Sequence, residues 1–320
     1  MIQRKLTVVI PARNESASIG LVIQKILDVT AKQKELATDI LVVDDSRDAT
    51  REVASGLGAY VVRGDGRGLG AAMYLGLREA LTRFDPEIIA AIDADGQFDP
   101  EELPKVLRPI LDGKADLALG SRFLQEGLVK YNMPLANRFG NRLLSWLVHR
   151  TTGIRITDAQ TGFRAMRSEV AQRLDMIGTH TYVQESIIDA AEKNFRIVEV
   201  PVKFLPRQHG RSRVVGSIRK YATRSVPILI LRMGIYKSFF TIGGPLIILI
   251  GVSYGLSVFY QVSFRITELL DRLPALILTT LLIVTGLTIF SFGVLLDLIV
   301  SVKYKLDRFE KERWSQGHEK

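Results

Sequence analysis

Apolar residues fall in short blocks along the first part of the chain: LTVVI (6–10), DILVVDD (39–45), AYVVR (59–63), EIIAAIDAD (87–95) and ADLALGSR (115–122). They are rich in Val, Ile, Leu and Ala without strict alternation, the pattern of parallel strands covered on both faces. Between them, residues 16–32, 49–57, 68–83 and 100–112 carry apolar positions at helical spacing. Asp99-Pro100-Glu101 opens the last of these with a capping side chain, a proline and an acidic first turn. Strand and helix in alternation predict a doubly wound α/β domain, with ligands held at the carboxyl ends of the strands.

Two much longer apolar runs follow. Phe239 to Val262 has no charged residue in 24 positions, and Pro274 to Leu296 has none in 23. Roughly 20 apolar residues in a helix cross the hydrocarbon core, so both runs predict transmembrane helices. The connector SFRITELLDRL is short and its charges cancel, while basic residues flank the outer ends of both spans. That asymmetry predicts a multi-pass protein of the cell membrane with its α/β domain and both termini cytoplasmic. The run LTVVI stops at Pro11 and is too short for a secretory signal. The expected division is an α/β domain over 1–213, a basic juxtamembrane segment over 214–237, a two-helix hairpin over 238–303 and a tail over 304–320.

The formal charge of +9 suggests nucleic acid until it is mapped. Residues 203–237 carry nine Lys and Arg and no acid, whereas the charges of 1–202 nearly cancel. The excess adjoins the apolar runs, and VVGSIRKYATRSVPILILRMGIYKS mixes basic and apolar residues at roughly helical spacing. The expected partner is therefore the lipid bilayer and not nucleic acid, with helices lying in the interface against anionic headgroups. The absence of cysteine excludes disulfides and thiolate metal sites. The scattered histidines, His149 and His209 among them, have no ligand spacing.

Candidate chemistry lies where strands end. Asp44 and Asp45 close the second apolar block, and Asp93 and Asp95 close the fourth, so both pairs are expected to face one crevice. Such carboxylates suit a hard divalent cation, Mg²⁺ or Mn²⁺, that is also held by substrate phosphates. GRGLGA (66–71) fits a dinucleotide-binding fingerprint, but it follows the third strand where that fingerprint belongs after the first. Gly66, Gly68 and Gly70 read instead as a phosphate-side loop and helix start.

VVIPARNE (8–15), VVDDS (42–46), RGLGAA (67–72), DADGQ (93–97), GSRF (120–123), DAQTGFRAM (158–166) and EVPVKFLPRQHGRSR (199–213) occur in that order. Together they resemble the family-2 inverting glycosyltransferases of GT-A fold, in the polyprenyl-phosphate (dolichol-phosphate) mannose and glucose synthase branch. The resemblance covers residues 6–215. It implies that Pro11, Ala12, Asn14 and Glu15, with Asp44 and Asp45, hold the base and ribose of a nucleotide sugar. Asp93, Ala94 and Asp95 would lie against the donor, and Asp93, Asp95 and Gln97 would bind the metal. Arg122, Arg138, Arg207, Ser212 and Arg213 would receive a lipid phosphate, and Asp158 and Glu185 would line the sugar site. The catalytic group would be Asp95, Asp158, Glu185, Arg122 and Arg207. The family usually reads D-D-G/N-S-x-D-x-T where this chain has the shorter DDSRDAT, which leaves the contacts of Asp44 and Asp45 open. The chain lacks the Q-x-x-R-W of processive polysaccharide synthases.

The residue types suit the implied reaction. A phosphate monoester, with a second pKa near 6, is largely a dianion at neutral pH and needs no strong general base. It needs arginines that offset its charge and aim it, while a metal stabilises the leaving nucleoside diphosphate. Expected donors are GDP-mannose first, then UDP-glucose or UDP-N-acetylglucosamine. Homo-oligomers could form through the transmembrane helices. The reading from another class is a non-catalytic membrane scaffold or carrier with a degenerate GT-A domain, which the intact Asp93, Asp95 and Arg207 disfavour.

Overall fold

A computed structural model describes residues 3–175, 182–208, 235–261 and 272–317. The chain divides into two compact units, Met1–Arg232 and Met233–Lys320. In the first, β1 (Arg4–Ala12), β2 (Leu36–Asp44), β3 (Tyr60–Arg63), β4 (Ile88–Ala91), β5 (Leu117–Ser121), β6 (Arg164–Arg167) and β7 (Ile197–Pro201) form one sheet. The strand order is β3-β2-β1-β4-β6-β5-β7. β6 runs antiparallel to both of its neighbours and every other pairing is parallel.

The helices are α1 (Ile19–Ala31), α2 (Thr50–Gly56), α3 (Leu69–Arg83), α4 (Leu103–Leu111), α5 (Leu135–Thr152), α6 (Ser168–Arg173) and α7 (Val183–Glu192). The five predicted strands and four predicted helices are all present, with ends moved by a few residues. Asp99 caps the short 3-10 turn Pro100–Glu102, accepting a hydrogen bond from Glu101 N at 3.2 Å.

The missing alternation in the strands has a packing cause. Leu6, Val8 and Ile10 of β1 belong to a core with Ile19, Val22, Ile23 and Ile26 of α1 and Val106 and Leu107 of α4. Val9 points the other way and is equally buried, because α3 covers that face. A Cβ at Gly76 of α3 would collide with Val9 and come within 3.0 Å of Val43, so glycine there lets the helix lie close to the sheet. Each such fully buried Val, Leu or Ile contributes about 1.5–3 kcal/mol over an exposed one.

β4 ends at Ala91, short of the predicted Asp95. Asp95 Oδ1 accepts a hydrogen bond from Gln97 N at 3.0 Å, and Gly96 has a φ of +70°. That local turn competes with strand pairing and places Asp93 and Asp95 beyond the sheet edge.

The second unit contains α8 (Ile235–Gln261) and α9 (Leu273–Gly317). Phe239–Gln261 and Leu273–Val302 are long and apolar enough to cross a membrane. The two helices meet along a seam of small residues. A Cβ on Gly286 would come within 2.8 Å of the Gly244 carbonyl, and one on Gly251 would come within 3.0 Å of Ile283. The predicted tail is a helical continuation of α9 as far as Gly317. At 1.5 Å per residue, a helix of 45 residues exceeds the roughly 30 Å hydrocarbon core, so its charged end extends past the span. The basic segment over 214–234, His209, and the connector between the spans lie outside the described residues, apart from the connector's last two positions.

Candidate active site

The carboxyl ends of β1, β2 and β4 bring the predicted donor residues to one edge. Pairing of Ala12 with Asp44 sets the end of β1 beside the end of β2. Asn14, in the left-handed region at φ 51°, receives a hydrogen bond from Arg47 N on its Oδ1 at 2.7 Å. Its own N–H donates to Ser46 Oγ at 2.6 Å. Glu15 N donates to Thr50 Oγ1 at 2.9 Å. The PARNE loop is thus stitched to the DDSRDAT loop and held as one surface.

The two acidic pairs have different partners. Asp44 is buried, accepts from Ser46 N at 3.1 Å and faces Arg51 Nε at 3.4 Å. Asp45 accepts from Gly66 N at 2.8 Å, so it orders the glycine loop ahead of α3. Asp93 and Asp95 lie across β1 from them, since β1 stands between β2 and β4.

The segment after β7 completes the second acidic pair. Leu205 N donates to the Gln97 carbonyl at 2.7 Å, and Phe204 N donates to the Leu128 carbonyl at 2.9 Å. Laced down in this way, the chain delivers Arg207 between two acids: Nη1 reaches Asp95 Oδ2 at 3.3 Å, and Nη2 donates to Glu15 Oε1. The Gln97 side chain, expected at the metal, donates to the Leu205 carbonyl at 3.4 Å. It braces the segment carrying Arg207.

Burial, first, and the neighbouring charge of Asp95 push the Asp93 carboxyl up to about 7. Burial also raises Asp95, despite the opposing effects of the Gln97 N–H and the Arg207 guanidinium. Arg122, Arg164 and Arg207 offset only part of this burial at Asp93, so two neighbouring carboxyls disfavour ionisation, and a bound divalent cation would favour their charged forms. Among the described residues no three His, Asp or Glu side chains close around a metal position. An open pair fits a metal of the Mg²⁺ type, which uses one or two carboxylates and takes its other ligands from phosphate and water.

A second cluster stands at the ends of β5 and β7. Arg122 grips Asp158 through Nε to Oδ2 at 2.6 Å and Nη2 to Oδ1 at 2.7 Å, and its own N–H donates to Oδ2 at 3.1 Å. Its guanidinium carbon lies 4.9 Å from the Phe204 ring centroid and 5.3 Å from that of Phe123. The loop carrying Asp158 is itself fixed by Glu199 of β7, which accepts from Asp158 N at 2.9 Å and from Thr157 N and Oγ1. Burial raises the Glu199 carboxyl while these donors pull it down.

Glu185 is buried in the first turn of α7. Arg138 is exposed on α5, and Ser212 and Arg213 lie outside the described residues. Sequence reasoning missed Arg164 as well as Glu199. Arg164 is fully buried in β6, donating to Ser186 Oγ and to the Thr161 carbonyl, each at 2.6 Å. Its cation lies 4.8 Å from the Tyr182 ring, and its charge acts on Asp93. A charged residue inside the otherwise apolar FRAM was the available signal. Gly162 precedes it, and a Cβ there would come within 2.6 Å of Asp93 Oδ2.

Residues 7–175 match the family described as Glycosyl transferase family 2. A polyprenol monophosphomannose synthase of Mycolicibacterium smegmatis is 33% identical over 227 residues, covering 67% of this chain and 82% of the relative. An undecaprenyl-phosphate mannosyltransferase of Micrococcus luteus is 30% identical over 225 residues, covering 67% and 89%. Among solved structures, glucosyl-3-phosphoglycerate synthase of Mycobacterium tuberculosis, in complex with Mn²⁺, UDP and glucosyl-3-phosphoglycerate, superimposes with a TM-score of 0.54. It is 23% identical, covering 72% of this chain and 80% of that one, and shares the fold. The ordered motifs, the sheet that positions them and the match over residues 7–175 converge: the chain belongs to glycosyl transferase family 2 and is a glycosyltransferase.

Proposed function

We propose that the protein moves one hexose, with inversion, from a nucleotide sugar to a polyprenyl or dolichyl phosphate at the cytoplasmic membrane face. GDP-mannose is the favoured donor, with UDP-glucose or UDP-N-acetylglucosamine as alternatives. The observation that carries this reading is Arg207, seated between Asp95 and Glu15 at the donor edge. A guanidinium there can exchange its carboxylate contacts for phosphate oxygens, bringing two phosphorylated partners to one point. Two relatives named for mannosyl transfer to polyprenyl phosphates support the acceptor class.

In this reading the PARNE and DDSRDAT loops hold the nucleoside through Pro11, Ala12, Asn14, Glu15, Asp44 and Asp45. Asp93 and Asp95 would hold a divalent cation, which when bound offsets the charge of the leaving diphosphate. Mn²⁺ and UDP in the solved structure of like fold support that role. Arg122, aimed by Asp158, and Arg207 receive the acceptor phosphate, joined by Arg138, Ser212 and Arg213. Because the nucleophile is already anionic, no side chain must take its proton. The carboxyls of Asp158 and Glu185 serve to hold arginine and sugar in place.

The test is to incubate membranes containing the protein with each nucleotide sugar and a polyprenyl phosphate, then extract the lipid. A lipid-soluble product bearing one hexose is expected, formed fastest from GDP-mannose. Transfer only to water-soluble acceptors, or growth of a polysaccharide, would overturn the proposal.

A further inference from the structure

Helix α5 has two unlike faces. Asn141, Ser145 and Val148 are buried and bind it to the catalytic unit. Asn141 Nδ2 donates to the Thr157 carbonyl at 3.1 Å, and Ala159 N donates to Ser145 Oγ at 2.9 Å. These bonds tie the helix to the two residues on either side of Asp158.

On the opposite face, Leu135, Phe139, Leu143 and Trp146 follow one another at helical spacing and form one stripe. Their exposures are 81%, 70%, 47% and 56%. Folding therefore leaves four large apolar side chains in a row uncovered, the mark of an interaction surface. Arg138, Arg142 and Arg150 are exposed on the same helix. From Gly127 to Thr157 the chain has Lys130, Arg138, Arg142, Arg150 and Arg155 and no acidic residue.

Charge complementarity selects the occupant. A Leu, Phe and Trp stripe with a purely basic border fits a surface that is apolar below and negative at its rim. That describes the interface of an anionic bilayer, where tryptophan is also enriched. A chain with membrane spans keeps its catalytic unit at such a surface. We propose that α5 lies in the bilayer interface as an in-plane amphipathic helix. It would seat the catalytic unit on anionic lipid through a contact distinct from the basic segment over 214–237.

Trp146 allows a direct test, because the chain has only two tryptophans and Trp314→Phe leaves it alone. The full-length protein is placed in nanodiscs of equal parts phosphatidylglycerol and phosphatidylcholine. Trp146 is expected to lose most of its emission to lipids brominated near the headgroup end of the acyl chain, and to be shielded from aqueous iodide. Phe139→Glu combined with Leu143→Glu should reverse both effects, and neither side chain is needed for the fold since both are exposed. Arg142→Gln with Arg150→Gln should weaken the bromolipid quenching in this mixture more than in phosphatidylcholine alone. The readout does not involve sugar transfer, so it can fail while the transfer proposal stands. Trp146 open to iodide and blind to brominated lipid would overturn the inference. So would Trp146 shielded from iodide yet blind to brominated lipid. In that case a protein surface covers the stripe: a second copy if shielding grows with copies per disc, a segment of the same chain if it does not.

Discussion

Arg122 and Asp158 form a two-pronged ion pair, and Glu199 holds the backbone of Asp158 from the far side. The carboxylate is fully buried and the guanidinium nearly so. Removing one partner leaves an uncompensated charge that cannot reach water. Asp158→Ala is expected to lower folding stability by about 3–5 kcal/mol, read as a fall in thermal midpoint in detergent. Arg122→Lys retains the charge and loses the fork. It should cut sugar transfer by about 10²-fold with a smaller stability loss. Equal losses of stability in the two variants would show that the pair serves folding alone.

Asp95 touches Arg207 and adjoins Asp93, so its charge acts twice in the proposed donor site. Asp95→Asn should lower transfer by at least about 10²-fold, and chelation by EDTA should abolish it in the unaltered protein. Added Mg²⁺ or Mn²⁺ should restore the chelated enzyme. Full turnover in EDTA would sink the cation assignment.

Gly162 presses on Asp93 with no room for a side chain. Gly162→Ala pushes a methyl group against all three carboxyl atoms, at 2.6–3.0 Å before relaxation. Overpacking of this kind costs about 1–3 kcal/mol. Because the displaced group is the carboxylate proposed to hold the donor's cation, KM for the nucleotide sugar should rise. Kinetics with the donor as varied substrate would show it, and an unchanged KM would separate Asp93 from donor binding.

Asp116 and Arg196 offer a pH signature away from the site. Hydrogen bonds from Arg196, its side chain first, outweigh burial and hold the Asp116 carboxyl at about 2, against an ordinary value of 3.8. A folded-state pKa depressed below the unfolded one stabilises the fold above the unfolded value. That contribution is lost as pH falls through the folded value. Arg196 is half exposed, so solvent screening trims the gain. Arg196→Met should therefore unfold more easily at neutral pH, with the difference shrinking from about pH 4 downward. Thermal melts at several pH values would check it, and a difference independent of pH would refute it.

Along the membrane helices, Gly286 faces Ile248 and the Gly244 backbone with no clearance. Gly286→Leu should force α8 and α9 apart and lower the thermal midpoint in detergent. The chain has no native cysteine, so Gly255→Cys with Thr279→Cys should crosslink cleanly in the parent. The crosslink should fade when Gly286→Leu is added. Undiminished crosslinking would mean that the seam tolerates bulk.

Much of the fold could be read along the chain because it rests on local signals. Continuous apolar blocks between helical stretches imply a sheet covered on both faces, and Val9 and Gly76 show that packing directly. Runs of more than 20 uncharged residues have little reason to exist outside a bilayer. The Asp99 cap needs only its own next two residues. Such features depend on neighbours in sequence, where spacing and residue type suffice.

What tertiary structure decided is which charges meet. Arg207 finds Glu15 across 192 positions and Asp95 across 112, and Arg122 finds Asp158 across 36. No periodicity carries that information. Both acidic pairs close a strand in the sequence, yet β1 stands between them, and burial raises the carboxyls of Asp93 and Asp95. Arg164 and Glu199 were passed over because an isolated charge in a strand usually faces water. Here the antiparallel insertion of β6 buries the one, and the edge pairing of β7 turns the other toward the loop of Asp158. A charge acquires its role from the partners and the dielectric around it, and those exist only once distant strands have come together.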